Sequence, residues 1–365
     1  MRRTLREVFL LAEVGWRRGS TLLDMVERSG TYASALRREI AERNRDWARG
    51  GGRVRPHVES YGREPVIVYS PDDEQTEEGL KAVRHGNFFD DAYAAIVGNK
   101  EWMRRFDKIH AQGRALPKAE SGRRWRELDS SMSSDALLMN VFLGFGAGEL
   151  DGLRRALGVE GDGLPVFGWK ARVPLASGRF DRTEVDMRWG GLLVEAKLTE
   201  TDFQTRAAKV VEGYRDFDAV FERELLPRVE LRAARRKTAV EFAEEFTQEW
   251  EDGGAAAAFE ADEIAREFQA GIVARAREAE PVEAGYAGYQ LIRNVLAAYA
   301  SGTSFCVVHD ERRPDLREGW FDVMKAVRSA EMRTRCLVMT WQELAGLAPV
   351  GLREFLEVKY GIMGV

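Results

Sequence analysis

The segment from Glu184 to Leu198, EVDMRWGGLLVEAKL, restricts the fold more than any other part of the chain. Val185, Met187, Leu192, Leu193 and Val194 suit extended backbone, and Gly190-Gly191 supplies a two-residue turn that tolerates positive φ. The segment therefore predicts a β-hairpin. With the two glycines as its loop, Trp189 faces Leu192, Asp186 faces Glu195 and Glu184 faces Lys197. Strand alternation then gathers Glu184, Asp186, Glu195 and Lys197 on one face. It leaves Val185, Met187, Val194, Ala196 and Leu198 as the opposite, apolar face, ready to be covered by helices.

Two carboxylates opposed in this way lie roughly 5 Å apart at Cβ and repel each other unless a positive charge sits between them. A divalent cation resolves the conflict. Hard oxygen ligands favour Mg²⁺, with Mn²⁺ as a substitute. An ion held there polarises a phosphate and activates a water, while Lys197 could orient that water, take its proton or stabilise charge developing at phosphorus. The spacing leaves those roles open. The same pattern also suits the solvated face of an amphipathic hairpin, with Glu184 and Lys197 as a surface pair of little energetic weight.

Asp186 followed after a short turn by Glu195-Ala196-Lys197 resembles the PD-(D/E)xK signature of the restriction-endonuclease-like nuclease superfamily, with Val185 in place of the proline. More loosely, DSSMSSDALLMN, VEAKLTETDF and GYQLIRN together resemble bacterial proteins described as restriction endonucleases. The resemblance implies a metal held by Asp186, Glu195 and the main-chain carbonyl of Ala196, with Lys197 catalytic. It also implies a Mg²⁺-dependent hydrolase of DNA phosphodiester bonds, an endonuclease of restriction or phage defence. A DNA repair or recombination exonuclease, and an inactive nucleic-acid-binding protein, are the alternatives on the same fold. Glu184 could bind a second metal or hold Lys197, and Gln290 could reach the metal from a late helix, as related nucleases do. The resemblance leaves room for a homodimer.

The implied fold is α/β, a restriction-endonuclease-like core with a mixed central sheet flanked by helices. Ser133-Ser134-Asp135 reads as a helix start, followed by Leu137, Leu138, Val141 and Phe142 and a stop at Gly144 and Gly146. Strands are expected around Val166 to Val173, Phe180 to Arg188 and Leu192 to Leu198. A helix capped by Thr199 or Thr201 should follow, running through Phe203, Val210, Val211, Tyr214 and Phe217. After it come a helix over Tyr286 to Tyr299, a strand over Ser304 to His309, a helix over Trp320 to Ala330 and a strand over Cys336 to Thr340. Residues 1–129 form a mainly helical N-terminal region, basic at its start, and 130–365 the core. An acidic helical insertion occupies about 229–284.

The net charge of −5 does not oppose a DNA partner, because phosphate affinity depends on local basic patches. The arginine-rich stretch up to Arg55, including Arg37, Arg43 and Arg45, and a second one over Arg114, Lys118, Arg123, Arg124 and Arg126, could line a DNA groove. The aromatic run Phe88, Phe89, Tyr93, Trp102 and Phe106 has helical spacing and reads as core packing. Cys306 and Cys336 lie in apolar runs and read as buried thiols, which fits a reducing cytoplasm. The first apolar run is too short for a signal or membrane segment. Four scattered histidines, and no phosphate-binding or dinucleotide motif, argue against zinc, ATP or nicotinamide chemistry.

Overall fold

The computed structural model describes residues 22–52, 54–62, 64–75, 81–110, 116–119, 122–146, 150–232 and 282–365. Its centre is a five-stranded sheet of β1 (Val166–Lys170), β2 (Glu184–Trp189), β3 (Leu192–Ala196), β4 (Ser304–His309) and β5 (Cys336–Thr340), ordered β5-β4-β3-β2-β1. The first three strands pair antiparallel and the last two join in parallel. The sheet is mixed because β1 to β3 are linked by direct returns, whereas β3, β4 and β5 are separated by helical crossovers.

The β2–β3 hairpin turns at Gly190-Gly191, with Trp189 paired to Leu192, Arg188 to Leu193 and Met187 to Val194. Its two faces serve different cores. Met187, Trp189, Leu192, Val194, Ala196 and Leu198 pack with a cluster that includes α2 (Ser134–Leu143), α5 (Trp341–Gly346) and α6 (Val350–Tyr360). Leu193, Phe305 and Val307 face a second cluster built around α3 (Tyr289–Ser301) and α4 (Pro314–Met324).

Val185 departs from the expected face and joins the second cluster, together with its partner Trp169. The strand pair changes sides at Gly168, opposite Asp186, where φ is +66° and a Cβ would fall 1.9 Å from Nη1 of Arg105. Only glycine fits that twist without displacing the arginine. Glu184 is consequently turned away from Lys197.

α2 begins as expected, with the Ser133 hydroxyl accepting from the N–H of Ala136, and stops at Gly144. The long helix expected after Thr199 is replaced by a strand, Thr205–Ala207, and two single turns, Ala208–Val211 and Phe217–Val220. Thr205–Ala207 pairs with Val282–Ala287, which also pairs with Arg228–Arg232 in a three-stranded antiparallel sheet. Those pairings draw the residues before Gly288 out of the helix expected from Tyr286, and α3 starts only after Gly288, at φ +71°. The described ends of the expected helical insertion are thus strands, while residues 233–281 lie outside the description. α4 starts at Pro314, six residues before the expected Trp320, because proline is suited to the first helical turn.

The N-terminal region contains the long helix α1 (Leu22–Arg49), but also two antiparallel strand pairs, His57–Glu59 with Ile67–Tyr69 and Pro71–Gln75 with Lys81–His85. Leu36 and Ile40 of α1 join the same cluster as Leu344, Leu352 and Leu356 near the other end of the chain. Phe88, Tyr93 and Phe106 pack around His85, consistent with a core role for that aromatic run. Cys306 is buried and free. Among the described residues no helix is long and apolar enough to cross a membrane.

Candidate active site

The hydrogen-bonded ladder of the hairpin ends at Met187 and Val194, one pair before Asp186 and Glu195. Asp186 instead bonds with its side chain: Oδ2 accepts from the N–H of Ala196 at 2.8 Å. The carboxylate is thereby fixed against the strand that carries Glu195 and Lys197. Alternation puts Glu195 and Lys197 on the same side, where Nζ of Lys197 donates to Oε1 of Glu195 at 2.7 Å. Both residues are buried.

Helix α3 completes this pair. Nε2 of Gln290 donates to Oε1 of Glu195 at 2.8 Å, and Nδ2 of Asn294 donates to Oε2 at 2.7 Å. Residues four apart lie on one helical face, so a single helix reaches both carboxylate oxygens. Gln290, expected on a late helix beside the metal, is placed against Glu195, while Asn294 was not singled out, although its spacing from Gln290 offered a signal.

Glu184 lies outside this group. Its carboxylate accepts from Nη1 of Arg105, whose Nη2 donates to Asp135, with both bonds at 2.6 Å. The expected pairing of Glu184 with Lys197 is thus replaced, as the twist at Gly168 requires. Asp135, at the start of α2, approaches Asp186 closely enough to affect its titration. It was read only as part of a helix start.

The electrostatics of the centre are unbalanced. Burial, then the neighbouring charges of Glu195 and Asp135, push the Asp186 carboxyl well above the usual carboxylate range. Burial alone would lower Lys197, but Glu195, Glu200 and Asp186 outweigh it and hold the ammonium above the ordinary lysine range. Lys197 therefore remains a cation at neutral pH. One ammonium serves several carboxylates, and a further cation would relieve Asp186. Hard oxygen donors suit such an ion chemically. Among the described residues, however, no group of three or more His, Cys, Asp or Glu side chains is arranged to hold a metal. Asp186 and Glu195 would need ligands from the main chain, water or substrate.

The backbone after Lys197 is gripped at five successive carbonyls. Nε1 of Trp341 donates to Lys197 O at 2.9 Å, and Arg37 donates to Thr199 O through Nε and Nη2. Arg313, buried and paired with Asp315, donates to the carbonyls of Leu198, Glu200 and Thr201. Glu200 meets the N–H of Leu198 and the Ser134 hydroxyl. Such a strip has little freedom to move the lysine. The sequence did not show this grip, because Arg37, Arg313 and Trp341 each lie more than a hundred positions away from the carbonyls they hold.

A mixed sheet that brings two carboxylates, a lysine and two amides to the end of one hairpin defines an α/β protein with an acid–lysine centre. The chain belongs to the family described as Restriction Endonuclease associating with ARP, whose model matches residues 57–361. That span includes every residue of the centre and leaves α1 outside it. No curated protein and no solved structure matches the chain.

Proposed function

We propose that the chain is a metal-dependent endonuclease that hydrolyses DNA phosphodiester bonds, with Asp186, Glu195 and Lys197 at the reacting centre and restriction or phage defence as its role. The observation that carries this reading is the convergence of Asp186, Glu195 and Lys197 on one hairpin end, within a family described by its restriction endonucleases. Around the central sheet, the succession α2, β1 to β3, α3, β4, α4 and β5, with other elements between them, supports a restriction-endonuclease-like core.

Asp186 and Glu195 would hold Mg²⁺, or Mn²⁺ in its place, with the Ala196 carbonyl as the further ligand implied by the resemblance. Bound there, the ion would supply Lewis-acid polarisation of the phosphate and activation of a water. Lys197, already protonated, is suited to stabilising negative charge that develops on the phosphoryl oxygens, rather than to accepting a proton. Gln290 and Asn294 keep Glu195 oriented, and the gripped backbone keeps the lysine in place.

Closed-circular and linear DNA incubated with Mg²⁺, Mn²⁺ or EDTA test the reading, with Lys197→Ala assayed beside the parent. Metal-dependent nicking or linearisation that disappears in the variant is expected. Shortening from free ends only would replace the endonuclease by an exonuclease, and binding without cleavage would remove the enzymatic assignment.

A further inference from the structure

Among the described residues, several of the arginines expected to line a DNA groove are engaged within the protein. Arg37 binds Thr199 O and Glu64, Arg45 binds Glu59, Arg55 binds the carbonyls of Trp47 and Gly50, and Arg123 binds Asp129. An arginine whose donors are occupied by internal acceptors has little left for a phosphate.

The connection between β1 and β2 is different. Lys170, Arg172, Arg179 and Arg182 are all exposed, and among the described residues none of them forms an ion pair. Arg172 lies over the ring of Phe180, 4.4 Å from its centroid, a contact that orients the guanidinium without occupying its N–H donors. The one acid of the arm, Asp181, is engaged by the hydroxyl of Tyr214 and by Thr183.

The arm is also fastened next to the reacting centre. Val173 pairs with Asp181 and Pro174 with Phe180, while Ala176 N–H donates to Gly213 O and Arg215 N–H to Pro174 O. Tyr214 joins Asp181 to Tyr289, the residue before Gln290. Lys170 pairs across the sheet with Glu184, two residues from Asp186, or about 7 Å along the strand. By contrast, the cavity of about 310 Å³ beside Phe203 is lined by Asp202, Glu230, Glu318 and Asp322 and, among the described residues, by no lysine or arginine, a poor path for phosphates.

We infer that the arm of residues 170–182 is the surface that holds the DNA backbone beside the cleavage centre, with Lys170, Arg172, Arg179 and Arg182 each facing a phosphate. This rests on the proposed DNA substrate and goes beyond it by assigning the contacting surface. Each phosphate neutralised contributes about 0.9 to the slope of log affinity against log salt concentration on duplex DNA.

The test is fluorescence anisotropy of a labelled DNA duplex with the full chain in EDTA, over a salt series. The parent is compared with the combined Lys170→Gln, Arg172→Gln, Arg179→Gln and Arg182→Gln variant, and with Arg215→Gln plus Arg223→Gln as a control on arginines, one exposed and one half-buried, that pair with acids. Thermal melting checks that all three are equally folded. The expected result is at least about tenfold weaker binding near 0.1 M salt for the arm variant and a slope reduced by roughly 3 to 4, with the control unchanged. Unchanged affinity and slope in the arm variant, or an equal loss in the control, overturns the inference while leaving the nuclease reading standing. A parent that binds no duplex at any salt concentration overturns the inference and the DNA reading together.

Discussion

Lys197 and Lys359 are both buried, yet their surroundings drive them toward opposite protonation states. Lys197 has Glu195 at 2.7 Å and further carboxylates nearby, so its charge persists despite desolvation. Lys359 packs where α6 meets α1, with the Asn44 amide oxygen as acceptor and the Tyr69 and Tyr360 ring centroids 4.4 and 5.1 Å away. Burial, and then the charge of Arg55, lower it well below the ordinary lysine value. A neutral amide and aromatic faces can accommodate a lysine, but carboxylates are what keep it charged. Of the two, only the lysine beside acids keeps the charge that the proposed electrostatic role requires.

The largest effect should come from breaking the charged member. Lys197→Ala should reduce DNA cleavage by about 10²–10⁴-fold, and Asp186→Asn and Glu195→Gln should do likewise. Removing Lys197 also leaves Glu195 buried without its ion partner, which costs roughly 3–5 kcal/mol. Lys197→Met, which keeps much of the volume, is therefore the companion variant. A folded Met variant that cleaves at the parental rate would reduce Lys197 to a structural partner.

The second comparison uses pH. Between the lowered folded value of Lys359 and its ordinary value of 10.5, the unfolded chain binds a proton that the native chain does not, so this residue makes stability rise with pH. The sign is opposite for Lys197, whose contribution is present below the unfolded value and is lost as pH rises through its raised folded value. In urea unfolding, the stability of the parent minus that of Lys359→Met should climb by about 1.4 kcal/mol per pH unit within the Lys359 window. A flat difference would show that native Lys359 keeps its proton.

Smaller effects should come from the amides on each side of the comparison. Asn44 serves Lys359 and the Tyr69 hydroxyl while donating to Ile40 O and Lys359 O, so Asn44→Ala should lower stability by about 1–3 kcal/mol in the same measurement. Gln290→Ala and Asn294→Ala each remove one bond to Glu195, about 0.5–1.5 kcal/mol, and should slow turnover by up to about tenfold with little change in folding. An Asn294 variant with unaltered turnover would limit the useful contact to Gln290.

The hairpin was legible because its signals are local: two glycines, alternating side chains and a fixed distance between Asp186 and Glu195. The flanking strands Ser304–His309 and Cys336–Thr340 were legible as short apolar runs. The side taken by Val185 and Glu184 was not, since it depends on a glycine in the neighbouring strand rather than on their own alternation. Similarly, Thr205–Ala207 and Val282–Ala287 are strands only because they find each other across many intervening residues. The arginines of α1 showed their charge in the sequence but not their acceptors, and the acceptors decide whether they face solvent.

The grip on residues 197–201 has a consequence for the order of events during folding. Asp186, Glu195 and Lys197 lie within twelve residues of chain, but the side chains that fix the backbone beyond them come from 162 positions earlier and from 115 and 144 positions later. Contacts so distant in sequence form slowly and depend on Arg37, Arg313 and Trp341 all being in place. A growing chain that has just passed Lys197 already carries Asp186, Glu195 and Lys197, yet lacks Arg313 and Trp341 to hold them. The centre is completed only once Arg313 and Trp341 have been added, so a copy abandoned before them would lack the formed site.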